Sequence, residues 1–142
     1  TYQENKGKIE EILDFINQPY NKELTSDERK DLKKEKARQK TKLYDYLGSL
    51  NPNVVGIFEY GEMKTIKEKV GKTMCIMGNY PIEALKSHST EQCIDIAKKM
   101  IAEGAPGGGY IFTTGKAILR GKGLDLEKLQ AVHQYVINHG KY

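Results

Sequence analysis

Val54-Val55-Gly56-Ile57-Phe58-Glu59-Tyr60 and Thr73-Met74-Cys75-Ile76-Met77 are short, almost wholly apolar runs with a helical pattern between them, and this pair decides the fold class. A half-exposed strand alternates apolar with polar residues, whereas a strand covered on both faces reads as a nearly continuous apolar run. Glu62 to Val70 supplies the intervening helix, with Gly71 placed to end it. The same alternation continues downstream. Pro81 opens a short helical turn, Thr90 caps a helix striped by Cys93, Ile94, Ile96, Ala97, Met100 and Ile101, and Gly104 ends it. Gly109-Tyr110-Ile111-Phe112-Thr113 reads as a third strand. After a loop from Gly115 to Gly123, Asp125 caps a last helix predicted to turn Leu126, Leu129, Val132, Val136 and Ile137 inward. Three consecutive βα units with parallel strands are therefore expected over residues 53–142.

Residues 1–52 read as a helical N-terminal segment. Ile9, Ile12, Leu13 and Ile16 mark an amphipathic helix over 8–17, closed near Pro19. Thr25-Ser26-Asp27-Glu28 has the pattern of a capping box, which opens a second helix running to about Leu47. Its first half offers only Leu32 and Ala37 as apolar positions, so residues 20–42 read as a projecting excursion washed by solvent. Towards its end Leu43, Tyr44, Leu47 and Leu50 supply a hydrophobic face, and Gly48 with Asn51-Pro52-Asn53 closes the element.

Charge sits in that excursion. Residues 27–42 carry eight Lys or Arg against four Asp or Glu, which equals the net +4 of the whole chain. Acidic residues are interleaved and no aromatic residue lies inside the run to stack on bases, so a solvated helix face is expected and a nucleic-acid site is not. No apolar run is long enough for a membrane span, and the first residues lack a signal-peptide pattern, so no membrane contact and a cytoplasmic location are expected. Cys75 and Cys93, without metal-type spacing, read as buried free thiols. His88, His133 and His139 are not at metal-ligand spacings and read as structural or surface residues. Pro106-Gly107-Gly108-Gly109 lies before a strand and reads as a tight turn rather than a phosphate cradle.

The run Thr73 to Pro81, the segment Ala105-Pro106-Gly107-Gly108-Gly109-Tyr110-Ile111-Phe112 and the ending Leu124 to Gly140 resemble, in order and spacing, the last βα units of the uroporphyrinogen decarboxylase and corrinoid-dependent methyltransferase superfamily. The resemblance covers roughly residues 53–140 and is closest on the cobalamin-dependent methyltransferase side. It implies a (β/α)₈ TIM-like barrel of which this chain, at 142 residues, holds the C-terminal part, since a complete barrel takes roughly 250 residues. Helix 8–17 would correspond to the helix preceding the first of these strands, and residues 20–50 to an enlarged connection.

Barrel chemistry gathers at the C-terminal ends of the strands. That topology selects Glu59, Tyr60 and Glu62 after the first strand, Asn79 after the second, and Thr114, Gly115 and Lys116 after the third. Lys116, Glu59 and Tyr60 are the candidate catalytic residues, and Asn79, Glu62 and Arg120 the candidate substrate-binding ones, with Lys122 in the same basic loop. In zinc-containing methyltransferases of this superfamily a His-x-Cys pair and a later Cys hold the metal. Here Phe58 and Tyr60 stand at the first two positions and Lys116 at the third, so the zinc site reads as lost and no metal is expected; Glu59 and Glu62 alone are a poor zinc set. In the decarboxylases a Gly-His-Gly motif ends the last strand, where this chain has Gly115-Lys116-Ala117. The resemblance further implies a corrinoid carried on a partner protein, and the open strand edges imply a homo-oligomer or a chain supplying the complementary half of the barrel.

Overall fold

The computed structural model describes residues 2–49, 53–115 and 123–141. Two helices lead, α1 (Tyr2–Asn17) and α2 (Ser26–Leu47), followed by β1 (Val54–Phe58), α3 (Met63–Val70), β2 (Met74–Tyr80), α4 (Ala84–Ser87), α5 (Thr90–Gly104), β3 (Tyr110–Thr114) and α6 (Leu126–His139). The strands form one parallel sheet in the order β1-β2-β3, with helices between them as consecutive units of a TIM-like barrel have. The expected βα units are all present.

The helices cover one face of this sheet. Alternation along the strands sends Phe58, Met74, Ile76 and Tyr110 to the helix side, where they pack with Ile66 and Val70 of α3, Leu85 of α4, Cys93, Ala97 and Met100 of α5, and Val132 of α6. The opposite face carries Val55, Cys75, Met77 and Ile111, with Ile57 71% exposed and in register with Met77, which is in turn in register with Ile111. Cys93 is a buried thiol as expected, but Cys75 is only half-buried because it belongs to this second face.

Local chemistry explains most boundaries. Thr25 and Glu28 form the capping box of α2, and on α5 the cap is Ser89, which forms another box with Gln92, rather than the expected Thr90, which is the first helical residue. Glu62, at the N-cap of α3, makes no capping bond with its side chain; instead Glu103 of α5 accepts from the Lys64 backbone N–H at 3.2 Å. Asp125 caps α6 through the N–H groups of Glu127 and Lys128.

Four expectations need correction. The first helix begins at Tyr2 rather than residue 8, because a polar first turn carries no periodic signal yet continues the helix that Ile9 and Ile12 anchor against Leu43. Leu13, expected in that stripe, is 39% exposed. The central strand runs on through Gly78, Asn79 and Tyr80, which pair with Phe112, Thr113 and Thr114. On α6, Leu126 and Ile137 point to solvent rather than inward, 69% and 55% exposed, since α5 covers only the side that carries Val132.

The excursion is a helical hairpin: α2 packs along α1, and the Lys36 ammonium donates to the carbonyl oxygens of Ile16 (3.1 Å) and Gln18, where α1 leaves unpaired acceptors. Most other cations of α2 are exposed, with Lys30–Asp27, Lys34–Asp31 and Arg38–Glu35 paired along the helix. Tyr44, at the far end of α2, meets Phe58 edge to face at 5.7 Å and joins the main core.

Gly78 fixes the approach of β1 to β2. Its φ is +141°, and a Cβ there would collide with the carbonyl oxygen of Phe58. Replacement Gly78→Ala should therefore cost about 3 kcal/mol, drawn from backbone strain and a forced shift of β1. Urea denaturation measures this, and an unchanged midpoint would refute the fit described.

Candidate functional site

The C-terminal ends of the three strands converge. Gly115, just past β3, donates its N–H to the carbonyl of Tyr80 at 3.1 Å, and a Cβ on it would strike the carbonyl oxygen of Glu59 just past β1. The loop joining β1 to α3 is tied down from two other elements. The buried amide of Asn79 donates Nδ2–H to the Gly61 carbonyl at 2.8 Å, and the Tyr44 hydroxyl lies 3.4 Å from the Tyr60 carbonyl. Beside these ends opens a cleft of roughly 390 Å³, bounded by the loop after β1, the start of α3, the segment after β2 and the flank of α5.

Glu59, Tyr60, Glu62 and Asn79, selected by topology alone, all line this cleft, together with Gly115. Lys116 and Arg120, with Lys122, lie outside the described residues. Phe58, expected at a rim position, instead ends β1 with its side chain in the core against Tyr44. Several lining residues carried no sequence signal for the site. Met63, Tyr80, Ile82, Ile96 and Met100 give the cleft an apolar body, and Glu83, Lys99 and Glu103 add charge. Ile96 and Met100 were visible only as part of a helical stripe, and nothing in sequence spacing brings Lys99 and Glu103 of α5 to the loop at Glu62.

The charges are unevenly balanced. Lys86 lies 3.1 Å from Glu83, and Lys99 lies 4.0 Å from Glu62 and 3.7 Å from Glu103. Lys99 can offset only one of its two carboxylates, and Glu59 has no ion pair among the described residues. The Tyr60 ring accepts the Lys40 ammonium of α2 at 4.9 Å from its centroid. This set suits binding of a partly apolar ligand and proton transfer by a carboxylate.

Zinc does not fit here. Phe58 offers no donor and faces away from the cleft, and Tyr60 is a poor substitute for thiolate or imidazole. Among the described residues no three His, Cys, Asp or Glu side chains converge as a metal site requires.

Tyr80 closes the cleft's inner wall, with its hydroxyl donating to the Cys93 carbonyl at 3.0 Å and its ring 5.7 Å from that of Phe112. Burial, the Cys93 contact and nearby thiol charge push its phenol well above the usual tyrosine range, and burial also raises Tyr44. A folded-state pKa above the unfolded value of about 10 gives stability that is complete below that pH and is lost as pH climbs towards the folded value. In a 295 nm titration, the phenols of Tyr44 and Tyr80 should ionise above the usual tyrosine range, so Tyr44→Phe and Tyr80→Phe should each remove a late-ionising group. One common midpoint near pH 10 would contradict the packing of both rings.

The family model described as uroporphyrinogen decarboxylase (URO-D) matches residues 5–139, so the match takes in the α1–α2 hairpin as well as the βα units. No curated protein and no solved structure matches the chain. Among the described residues, no helix is long and apolar enough to cross a membrane. A parallel sheet with alternating helices, a cleft at its C-terminal rim and a match over nearly the whole length place this chain in the uroporphyrinogen decarboxylase family.

Proposed function

We infer that this chain acts as the C-terminal, cleft-bearing section of a URO-D-like barrel of the cobalamin-dependent methyltransferase branch, and that it needs the remaining strands for activity. The observation that carries the reading is the uncovered apolar face of the sheet at Val55, Ile57 and Ile111, directly below the rim where Glu59, Tyr60, Glu62 and Asn79 meet. Parallel strands of this composition are stable when both faces are covered, and β1 and β3 both offer unpaired edges within the three-stranded sheet. Further strands, whether from elsewhere in the same protein, from a complementary chain or from copies of this one, would cover that face and enclose the cleft.

The run Gly115-Lys116-Ala117, standing where the decarboxylases carry Gly-His-Gly, favours methyl transfer over decarboxylation. In this reading Glu59 holds or moves a proton at the rim, Asn79 and Glu62 orient the substrate, and Lys116 and Arg120 contribute from the following loop. The methyl carrier, a corrinoid, would stay on its own protein and be presented to the open rim.

A self-assembling, non-catalytic subunit is the second reading, favoured by the same open edges. Sedimentation of the full chain should show association, with monomer alone at micromolar concentration counting against both readings. In the completed assembly, Glu59→Gln and Lys116→Ala should each lower methyl transfer at least about tenfold. Unchanged transfer would sink the catalytic reading, and loss of transfer would sink the non-catalytic one.

A further inference from the structure

The cations of α2 fall into two sets. Lys30, Lys34 and Arg38 are each paired with the carboxylate three residues earlier, on Asp27, Asp31 and Glu35, and those charges cancel. Arg29, Lys33, Lys36, Lys40 and Lys42 form no ion pair among the described residues. Arg29 and Lys36 donate only to backbone carbonyls, of Leu24 and Lys22 and of Ile16 and Gln18, which neutralises neither charge. Four of the five unpaired cations recur at steps of four, three and four residues, a spacing that puts Arg29, Lys33, Lys36 and Lys40 on one face of the helix. Lys30 and Lys34, one residue on from Arg29 and Lys33, are turned about 100° away from it.

The same face continues into the core. Tyr44 and Leu47 extend the spacing and pack against the βα units, Tyr44 on Phe58 at the end of β1, while Lys40 sits over the Tyr60 ring in the loop that follows. A Cβ on Gly48, just past α2, would strike the Lys69 carbonyl near the end of α3, so α2 runs from the rim towards the opposite end of the sheet. The turns before Lys40 therefore stand past the end of β1 with α1 along one side, and their cationic face overlooks the rim. From Arg29 to Lys40 the row spans roughly 16 Å.

We propose that this face of α2 is a docking edge for an acidic helix of a partner protein. Like charges three and four residues apart on one helix destabilise it, and an opposing row of carboxylates removes that repulsion. The row is too long for a small anion and matches three turns of a facing helix. No aromatic side chain stands among the four cations to stack on bases, and no large apolar one to enter a lipid layer. Lys40 and Tyr44 join the docking edge to the loop after β1, through the Tyr60 ring and the Tyr60 carbonyl, so a partner held there bears on the rim. The proposal assigns a role to the α1–α2 hairpin, and rests on the barrel reading only in taking the strand-end rim as the face that a partner approaches.

Four probes separate the possible occupants: a synthetic helical peptide with glutamates at the same four-three-four spacing, its scrambled isomer, poly(U), and phosphatidylserine vesicles. Titrated into the ¹⁵N-labelled full chain at low salt, the ordered peptide should shift the amides of residues 29–40, and that of Tyr60 through Lys40, and bind about tenfold more tightly than the scrambled one. Its affinity should fall as salt rises. Lys33→Gln should weaken it about threefold, Arg29→Gln gives an independent second variant, and Lys34→Gln, in the paired row, should change it less than about twofold. Equal affinity for the two peptides, an equal loss in Lys34→Gln, no binding of either peptide, or tighter binding of poly(U) or of the vesicles would overturn the proposal. Peptide binding is read on the chain by itself, so its failure leaves the barrel reading standing, and a failure of methyl transfer leaves the docking edge standing.

Discussion

A parallel sheet built from βα units has two apolar faces, and the helices of this chain cover one of them. Ile76, at the middle of the central strand and fully buried, anchors the covered face between α3, α4 and α5. Ile57, Met77 and Ile111 form the corresponding row on the other face with no element over them among the described residues. Burying a side chain such as Ile57 contributes roughly 1.5–3 kcal/mol, so the uncovered row represents a large fraction of the stability of a small domain. The position of the cleft follows from this asymmetry, since the strand ends that line it also border the open face.

The loop after β1 shows how the covered half builds the rim. Tyr44 reaches it from the charged hairpin, Asn79 from the central strand, and Gly115 closes on it from β3. These ties place Glu59, Tyr60 and Glu62 in a fixed relation to the apolar wall of α5. The hairpin is thus joined to the site by its apolar end, while its cationic end stays in solvent.

The strands and helices were legible in the sequence because their periodicities change sharply at Val54 and because Thr25 and Asp125 announce helix starts, whereas the cap of α5 fell one residue before the Thr90 that the sequence suggested. Glu59, Tyr60, Glu62 and Asn79 were legible from topology alone, once the strands were placed. What stayed hidden depended on distant contacts. Gly78 and Asn79 look like chain breakers, yet the strand continues because glycine alone lets β1 come so close. Leu126 and Ile137 fit an inward stripe, but the direction of a stripe says nothing about whether a neighbour exists to receive it. Lys99 and Glu103 belong to the cleft only because α5 crosses the start of α3, a tertiary fact without a local signature.

The cap that Glu103 places on α3 carries a consequence for how such a chain can be divided. Helix α3 obtains its N-terminal partner from the next unit along rather than from its own N-cap residue. The βα units are therefore not interchangeable modules: separating the first from the second would leave Lys64 without its acceptor and the loop below it unsupported. A recombination point or a gene split is better tolerated before β1, where α2 meets the βα units chiefly through α3, than between these two units.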